Sequence, residues 1–201
     1  TVWRNKDKVG AAATKANGPT HYVDLDYIAA KPSAESLPVT IDAALKQVKQ
    51  LCQSAPKGYI CPSEDKPASV SMTQVGTAPW RIQQFAQALT KAFQKAATAK
   101  SDKAFNKAID DAILHAGLMS HFVGDLGNPH HNARDYDGWE RGQGGLHKYF
   151  ESDCVAHMPL QLAESVYQKA KGSKLVSQML KVYGKAAKSA GGDPIRVAYA
   201  L

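Results

Sequence analysis

Two pairs of side chains able to bind a metal ion recur at helical spacing in the middle of the chain. His121 and Asp125 lie four residues apart, and His147 and Glu151 repeat that spacing. Residues four apart on a helix share one face, so both members of a pair can contact the same ion. Imidazole and carboxylate without thiolate are the donors typical of a catalytic zinc site. The two pairs therefore predict a catalytic metal centre.

A further donor, His131, lies between the pairs, just after the helix-ending sequence Gly127-Asn128-Pro129. Such a turn can fold the histidine back over the site. A single His/Asp pair at this spacing is more often a surface hydrogen bond, and Asp111 with His115 is interpreted in that way. Two pairs around an additional histidine are not explained so simply.

The segment from His121 to His131 reads H-F-V-G-D-L-G-N-P-H-H. It resembles the H-x-x-G-D-x-x-[QN]-P-x-H segment of the zinc-dependent phospholipase C and S1/P1 nuclease superfamily. That family places metal ligands at the first His, the Asp and the last His, which here are His121, Asp125 and His131. His147 and Glu151 are similar to its downstream H-x-x-x-[ED] ligand pair, with the Glu that bacterial phospholipases C carry.

Upstream, Thr20-His21-Tyr22-Val23-Asp24 resembles the family's [SL]-H-[FY]-x-D segment, whose His is a ligand. The family also places a ligand Asp some fourteen residues earlier, and Asp7 stands at that distance. The resemblance implies that Asp7 would orient or deprotonate the attacking water. It also implies two zinc positions, one held by Asp7, His21, His121 and Asp125, and the other by His131, His147 and Glu151.

Members of this family begin the mature chain with a Trp that binds a further zinc, helped by a His a few residues later. Here Trp3 is not the first residue, and no His precedes His21. We therefore expect a single domain over residues 1–201 that lacks the family's N-terminal segment. Two zinc positions are expected to be complete, and the third lacks its family ligands.

Three functions follow from these observations. A phospholipase C-like phosphodiesterase that cleaves phospholipid headgroups is the first, favoured by Glu151 and by the short loop between His131 and His147. A single-strand nuclease is the second, favoured by the basic charge and by Tyr22, which can stack a base or pack in the core. A non-catalytic binding or inhibitory protein with a protein partner, reusing the fold, is the third.

The polar, Gly-rich loop 132–145 joins two of the predicted ligands. We expect it to border the substrate opening, because both histidines at its ends are directed at the metals. Its aromatic residues Tyr136 and Trp139 can contact a lipid or a base, or they can pack over the rim.

Helical periodicity predicts the elements that position these residues. Thr40 is expected to cap one helix, an amphipathic helix follows Pro79, and a long helix runs from about Ser101 to Gly127. The long helix is expected to bury Phe105, Ile109, Ala112, Ile113 and Ala116, and to carry Leu114 and Leu118 on the stripe of His121. Further helices are predicted over 146–172, interrupted near Pro159, and over 173–189 and 194–201. Without alternating strands, the predicted class is all-α, and the resemblance implies a multi-helix bundle of the phospholipase C/P1 nuclease type.

Composition is that of an ordinary globular protein, with 44% hydrophobic and 21% charged residues. No run of 18 apolar residues is present, so no transmembrane segment is expected. The first residue is Thr1 and no signal peptide is visible, which suggests a processed product. The net charge of +7 favours anionic partners such as phosphodiesters or anionic membrane surfaces, although lysines on helix faces also aid solubility.

Three cysteines bear on the compartment. Cys52 and Cys61 flank a short loop and are expected to form a disulfide, which favours a secreted or periplasmic protein. Two free thiols are the alternative. Cys154 is then left over and is expected to be a small buried residue on a helix.

Overall fold

The computed structural model describes residues 16–33, 36–63, 67–158, 161–172 and 193–199, with scattered positions between 174 and 191. Regular structure in these residues is helical, and the only β pairing is an isolated antiparallel bridge between Val23 and Gly76. The predicted all-α class is confirmed.

The longer helices of the described residues are α1, Ile41–Ser54; α2, Ala78–Ala97; α3, Asp102–Leu126; α4, Leu162–Gly172; and the shorter α5, Pro194–Tyr199. Short α-helices span Leu25–Ile28 and Met72–Val75. Single 3₁₀ turns occupy Gly18–Thr20, Pro67–Ser69, Pro129–His131 and Trp139–Arg141. The 146–156 segment passes from an α turn, Leu146–Lys148, through a π-helix, Tyr149–Asp153, to a second α turn, Cys154–Ala156.

The predicted helix starts are confirmed by their caps. The Thr40 hydroxyl accepts the Ala43 N–H at 3.2 Å, and the Ser101 hydroxyl accepts the Ala104 N–H at 3.3 Å. Helical structure is interrupted between Ala156 and Leu162, where an interruption was predicted. Pro159 and most of the predicted helix 173–189 lie outside the described residues.

Helices α2 and α3 form an antiparallel hairpin, and near the loop that joins them the buried residues are small. Ala92 and Ala96 of α2 and Ala108 and Ala112 of α3 are buried. Small side chains let two helix backbones approach closely, so the larger residues of α3 point elsewhere. Phe105 and Ile113 are exposed, so the prediction that they are buried is wrong. Of the other residues predicted on that face, Ala112 is buried and Ile109 and Ala116 are half-buried.

The main core lies at the other end of this hairpin. Phe122 and Leu126 of α3 pack there with Val48 of α1, Trp80 of α2 and Ile195 of α5. The Trp80 indole N–H donates to the Val39 carbonyl at 3.1 Å, so this buried polar atom is satisfied. The last turn of α3, which carries the predicted ligands, is thus anchored by apolar burial on its opposite face.

The predicted disulfide between Cys52 and Cys61 is confirmed, with an S–S distance of 2.08 Å. Cys154 is a free thiol and is half-buried, so the expectation that it is fully buried is wrong. Among the described residues, no helix combines the length and the apolar character needed to cross a bilayer.

Candidate metal centre

Three predicted ligands from two distant parts of the chain meet at the end of α3. The His21 Nδ1 atom lies 2.8 Å from Asp125 Oδ2 and 3.2 Å from His121 Nε2. The His121 Nε2 atom lies 3.5 Å from the same Asp125 oxygen. We refer to His21, His121 and Asp125 as the first cluster. Its donor atoms are close enough together to hold one metal ion.

Aromatic packing and a contact with the Asn17 side chain hold the His21 ring of the first cluster in place. The buried His21 ring lies 4.9 Å from the ring of Phe122, which in turn stacks on Phe85 at 5.5 Å. The His21 Nε2 atom, on the far side of the ring, lies 2.9 Å from the side-chain nitrogen of Asn17. This contact helps to orient the ring, and Nδ1 is the nitrogen that faces Asp125 and His121.

The extended segment that follows His21 is held in place by the close approach of its backbone to Gly76. Gly76 has a φ of +90°, and a side chain there would strike the Tyr22 backbone. This glycine lets the Val23–Gly76 bridge form, and the Asp24 N–H donates to the Val75 carbonyl at 2.7 Å. His21 is thereby fixed relative to α3 although about 100 residues separate them in sequence.

Three more of the predicted ligands, His131, His147 and Glu151, come together nearby. We refer to them as the second cluster. The His131 Nε2 atom lies 2.9 Å from Glu151 Oε1 and 3.2 Å from His147 Nε2. The His147 Nε2 atom lies 3.0 Å from Glu151 Oε2. These donor atoms also converge closely enough for one metal ion. Each cluster has one exposed member, the histidine His121 in the first and the carboxylate Glu151 in the second.

Two residues that the sequence analysis did not select support the second cluster. The Asp137 carboxylate accepts the backbone N–H groups of Gly145 at 2.9 Å and His147 at 3.0 Å. Desolvation raises the pKa of the Asp137 carboxyl. Hydrogen bonds from these two N–H groups and from the Trp139 side chain outweigh it, so the pKa lies below its ordinary value. Asn128 donates its side-chain N–H to Glu151 Oε1 at 2.5 Å.

Glu151 is held as a carboxylate by its neighbours. Partial burial raises its pKa, but hydrogen bonds from His131 and Asn128 and the charge of His147 together lower the pKa below the ordinary value. An ionised glutamate between two imidazole nitrogens is the protonation state that metal binding needs.

A backbone contact joins the two clusters. The His131 Nδ1–H donates to the backbone carbonyl of His21 at 2.7 Å. Because a carbonyl can only accept, this contact places a proton on Nδ1, and Nε2 is the nitrogen that faces Glu151 and could bind a metal ion. His21 therefore contributes its ring to one cluster and its carbonyl to the other.

The spacing of the donor atoms matches a tetrahedral ion. Zinc bonds of about 2.0–2.1 Å separate tetrahedral ligand atoms by about 3.3 Å. The donor separations of 2.8, 3.2 and 3.5 Å in the first cluster scatter around that value. In the second, the two histidine nitrogens lie 3.2 Å apart, and each lies 2.9 or 3.0 Å from a different oxygen of Glu151. The residues present thus fit a metal ion of this size in each cluster.

A cavity of about 440 Å³ opens beside the second cluster. His131 and His147 form one part of its wall, and Tyr22, Tyr136 and Arg134 form another. The Tyr22 hydroxyl donates to the Thr73 carbonyl at 3.0 Å, so the ring rather than the hydroxyl is the surface it offers.

Asp24 is a buried carboxyl in the lining of this cavity. Its residue surface is 7% exposed, and burial, reinforced by Asp26 and opposed by Arg134, raises its pKa to about 7. Its side chain forms no hydrogen bond or ion pair with another described residue. It can therefore donate or accept a hydrogen bond from a group that enters the cavity.

Loop 132–145 borders this cavity through some of its residues. Arg134 and Tyr136 line it, whereas Trp139 lies outside the lining and is 71% exposed. The Trp139 ring covers Gly144, where a side chain would collide with it. Arg134 forms ion pairs with Asp26 and Glu140, and these hold the loop against the Leu25–Ile28 turn.

Three further predictions have different outcomes. Asp7, the predicted ligand and catalytic residue, lies outside the described residues. Leu114 and Leu118 share the helix with His121 as predicted, but both are exposed. The predicted Asp111–His115 pair is replaced, because Asp111 pairs with Lys107 at 3.5 Å and His115 lies against Phe85.

Sequence reasoning missed four residues of this site: Asn128, His130, Asp137 and Asp24. His130 stacks on His147 at 5.5 Å, and its Nδ1–H donates to the Tyr136 carbonyl at 2.9 Å. Asp24 and Asn128 stand inside the motifs that were recognised, so their positions were visible while their contacts were not. Nothing in the local pattern marks Asp137.

Comparison with protein-family models, with curated proteins and with solved structures gives no match for this chain.

Proposed function

We propose that this protein is a zinc-dependent phosphodiester hydrolase that acts first on phospholipid headgroups. The observation that carries the proposal is the convergence of six imidazole and carboxylate side chains into two adjacent donor groups. The same six residues stand at ligand positions of the zinc-dependent phospholipase C and S1/P1 nuclease superfamily, which the sequence resembles. A secreted or periplasmic location is part of the proposal, and the disulfide is compatible with it.

Zinc is the proposed ion because of the donors. Each cluster offers two imidazoles and one carboxylate, and no thiolate belongs to either group. Three protein ligands with a fourth position open to water or substrate are typical of catalytic zinc. The resemblance adds Asp7 to the first cluster.

The chemistry of bound zinc would be to lower the pKa of a coordinated water and to neutralise charge on phosphoryl oxygens. The chain's own residues then position and bind. The His21 carbonyl fixes the His131 ring through the 2.7 Å hydrogen bond, and Asp137 fixes the His147 backbone. Asp7 is proposed to orient or deprotonate the attacking water, as the resemblance implies.

The cavity is proposed to receive the polar part of the substrate. It adjoins His131 and His147, and its wall includes Tyr22 and Tyr136. Arg134 is engaged by two carboxylates, so its proposed role is to hold the loop rather than to bind phosphate.

A single-strand nuclease is a second candidate, favoured by one observation. The Tyr22 ring and the unpaired Asp24 carboxyl both line the cavity. A nucleobase can stack on an aromatic ring, and its edge can hydrogen-bond to a carboxyl group. Trp139 lies outside this cavity, so a direct contact of Trp139 with a bound base is not part of this candidate.

The test combines metal analysis with two substrates. The purified protein is analysed for zinc and assayed against a short-chain phospholipid and against a single-stranded oligonucleotide, before and after chelation. We expect zinc to be bound and turnover to be lost with the chelator and restored by zinc. Glu151→Gln should lose metal and activity, whereas Glu164→Gln on the exposed face of α4 should keep both.

The outcomes separate the candidates. Cleavage of the oligonucleotide but not of the phospholipid, weakened by Tyr22→Leu, would replace the first proposal by the second. Bound zinc with no turnover of either substrate would contradict both and favour a non-catalytic binding protein.

A further inference from the structure

The cavity beside the second cluster holds a buried carboxyl that lacks a partner. Asp24 is 7% exposed and belongs to the lining of this cavity. Its backbone is fixed, because the Asp24 N–H donates to the Val75 carbonyl at 2.7 Å. No other described residue forms a hydrogen bond or an ion pair with its side chain. Buried polar groups almost always have a hydrogen-bond partner, so a carboxyl left open toward a cavity points to a ligand.

Further hydrogen-bonding groups in the same lining are also open. The hydroxyls of Tyr27 and Tyr136 form no hydrogen bond with another described residue. His130 donates its Nδ1–H to the Tyr136 carbonyl at 2.9 Å, which leaves the Nε2 atom of the neutral imidazole as an acceptor. The lining thus combines groups that accept, the carboxyl and the imidazole nitrogen, with phenolic hydroxyls that both donate and accept.

Two tyrosines lie within electrostatic reach of the Asp24 carboxyl. Burial raises the pKa of Tyr22 and of Tyr27 above the ordinary phenol value, and the charge of Asp24 is the next largest cause. Tyr136 acts on the pKa of Tyr22 in the same direction. The Tyr22 hydroxyl is already bound to the Thr73 carbonyl, so Tyr22 adds a ring face beside the carboxyl. One ligand in the cavity can therefore contact several of these side chains.

The open hydrogen-bonding groups distinguish between ligand classes. A ligand with several hydroxyls can donate to the carboxyl and to the imidazole nitrogen, and it can exchange hydrogen bonds with the phenols. A quaternary ammonium group has no N–H or O–H, so it would leave these groups unpaired, which costs free energy. The cavity volume of about 440 Å³ lies within the range of about 300–1,000 Å³ typical of small-molecule sites. These features favour a small polyhydroxyl ligand.

The position of the cavity determines which part of a substrate can enter it. His131 and His147 of the second cluster belong to the same lining, so a phosphoryl group held at that cluster can direct its alcohol portion into the cavity. Arg134 also lines the cavity, but Asp26 pairs with it at 3.2 Å and Glu140 pairs with it as well. Its charge is compensated, so a headgroup with a further phosphate would meet no unpaired guanidinium or ammonium among the described lining residues.

We propose that the cavity binds an uncharged polyhydroxyl headgroup, of the glycerol or inositol type, through Asp24, Tyr27 and His130. Tyr22 and Tyr136 supply apolar ring surface against its carbon skeleton. The lipid origin of that headgroup rests on the proposed function, whereas binding of the polyol itself needs neither zinc nor turnover.

The test measures polyol binding separately from hydrolysis. Free myo-inositol at millimolar concentration is added to the purified protein before and after chelation, and saturation-transfer NMR reports its contact with the protein. Calorimetry then compares inositol monophosphate, glycerol phosphate, phosphocholine and methyl phosphate on the zinc-loaded protein. We expect a myo-inositol signal in both samples. Both polyol phosphates should bind about tenfold or more tightly than phosphocholine and methyl phosphate, because they form several additional hydrogen bonds.

A matched set of variants tests the location of the site. Asp24→Val removes the carboxyl and should lower the affinity for inositol monophosphate about tenfold or more. Tyr27→Phe keeps the ring and removes one hydroxyl, so that affinity should fall about fivefold while the affinity for methyl phosphate stays unchanged. This second variant preserves the packing and keeps the test decisive if Asp24→Val does not fold. Tyr167→Phe, at an exposed position of α4 outside the lining, is the control and should change neither affinity.

Several results would overturn the polyol proposal. These are the absence of a myo-inositol signal, equal affinities for all four phosphate esters, and equal losses in the Tyr27 and Tyr167 variants. Tighter binding of phosphocholine that is lost in Asp24→Val would assign the cavity to an ammonium group. Binding of a dinucleotide that depends on Tyr27, without polyol binding, would assign it to a nucleobase.

The same measurements separate this proposal from the proposed function. Polyol binding that depends on Tyr27, in a protein that hydrolyses no phosphodiester, would sustain the site and refute only the proposed function. An enzyme that binds no myo-inositol and cleaves phosphatidylinositol, phosphatidylglycerol and phosphatidylcholine equally well would do the reverse.

Discussion

The two clusters each combine two imidazoles with one carboxylate but differ in how the fold holds them. The first stands on the last turn of the long helix α3, and its buried His21 packs on Phe122 of the core. The second is assembled from a 3₁₀ turn, Pro129–His131, and from short turns beyond loop 132–145. Its carboxylate, Glu151, is 41% exposed, against 16% for Asp125.

This difference teaches where each geometry comes from. Apolar burial beneath α3 fixes the first cluster before any ion binds. In the second, hydrogen bonds to Asp137 from the backbone and to Glu151 from Asn128 replace a packed core. We therefore expect the first cluster to tolerate changes in its surroundings and the second to depend on individual polar contacts.

The largest expected effect compares the two carboxylates directly. Asp125→Asn should lower phosphodiester turnover about a hundredfold or more, because it removes the charge that holds the buried cluster and each tenfold corresponds to about 1.36 kcal/mol. Glu151→Gln should lower turnover about tenfold to a hundredfold, since water can more readily replace an exposed ligand. Zinc content and kcat/KM are measured for both. Asp111→Asn, at an exposed position of α3, is the control, and equal losses for the two variants would remove the distinction.

The next effect concerns the support of the second cluster alone. Asp137→Asn should weaken zinc binding there about tenfold to a hundredfold, because residues that orient a ligand affect metal affinity on that scale. Titration against a chelating dye should show one weakened and one unchanged site. Asp153→Asn, which removes a carboxylate paired with Lys148, should change neither. Weakening of both sites would mean that the clusters act as one unit.

A smaller effect is expected from the pH dependence of stability, where two carboxyls have opposite shifts. Burial raises the pKa of Asp24 from 3.8 to about 7, so the folded protein holds a proton there that the unfolded chain releases above pH 3.8. Stability contributed by this group therefore falls as pH rises from about 4 to about 7. Asp24→Asn should stabilise the metal-free protein by about 1–2 kcal/mol at pH 8 and by much less near pH 4.

Glu151 supplies the opposite case for the same urea-unfolding series. Its lowered pKa contributes stability above the ordinary carboxyl range, and that contribution is lost as pH falls through the lowered value. Glu151→Gln should therefore cost stability at neutral pH and little in acid. Parallel pH profiles for the two variants would contradict the opposite shifts.

The smallest effect isolates one hydrogen bond to Asp137. Trp139→Phe keeps an aromatic ring but removes the indole donor to the Asp137 carboxylate, and because this carboxylate is exposed to water we expect only a roughly fivefold effect. Zinc binding at the second cluster should weaken by about that factor, with the first cluster unchanged. An unchanged dye titration would show that Trp139 only packs over Gly144.

The sequence by itself determined the local features, namely helix starts, residue pairs at helical spacing and the disulfide. Thr40 and Ser101 predicted two helix starts because a hydroxyl before an apolar period can accept a free N–H. The pairs His121/Asp125 and His147/Glu151 follow from spacing, since residues four apart face the same way. The short separation of Cys52 and Cys61 predicted their disulfide.

Only the tertiary structure decided which of these local features come together in space. That His21 joins His121 and Asp125 depends on a bridge to Gly76 and on packing against Phe122, neither of which is local in sequence. The burial of Asp24 depends in the same way on the walls around it. The apolar periodicity of a helix shows which residues share a face, but it does not show which element packs against that face. Phe105 was therefore predicted to be buried and is exposed, because alanines bring α2 and α3 together.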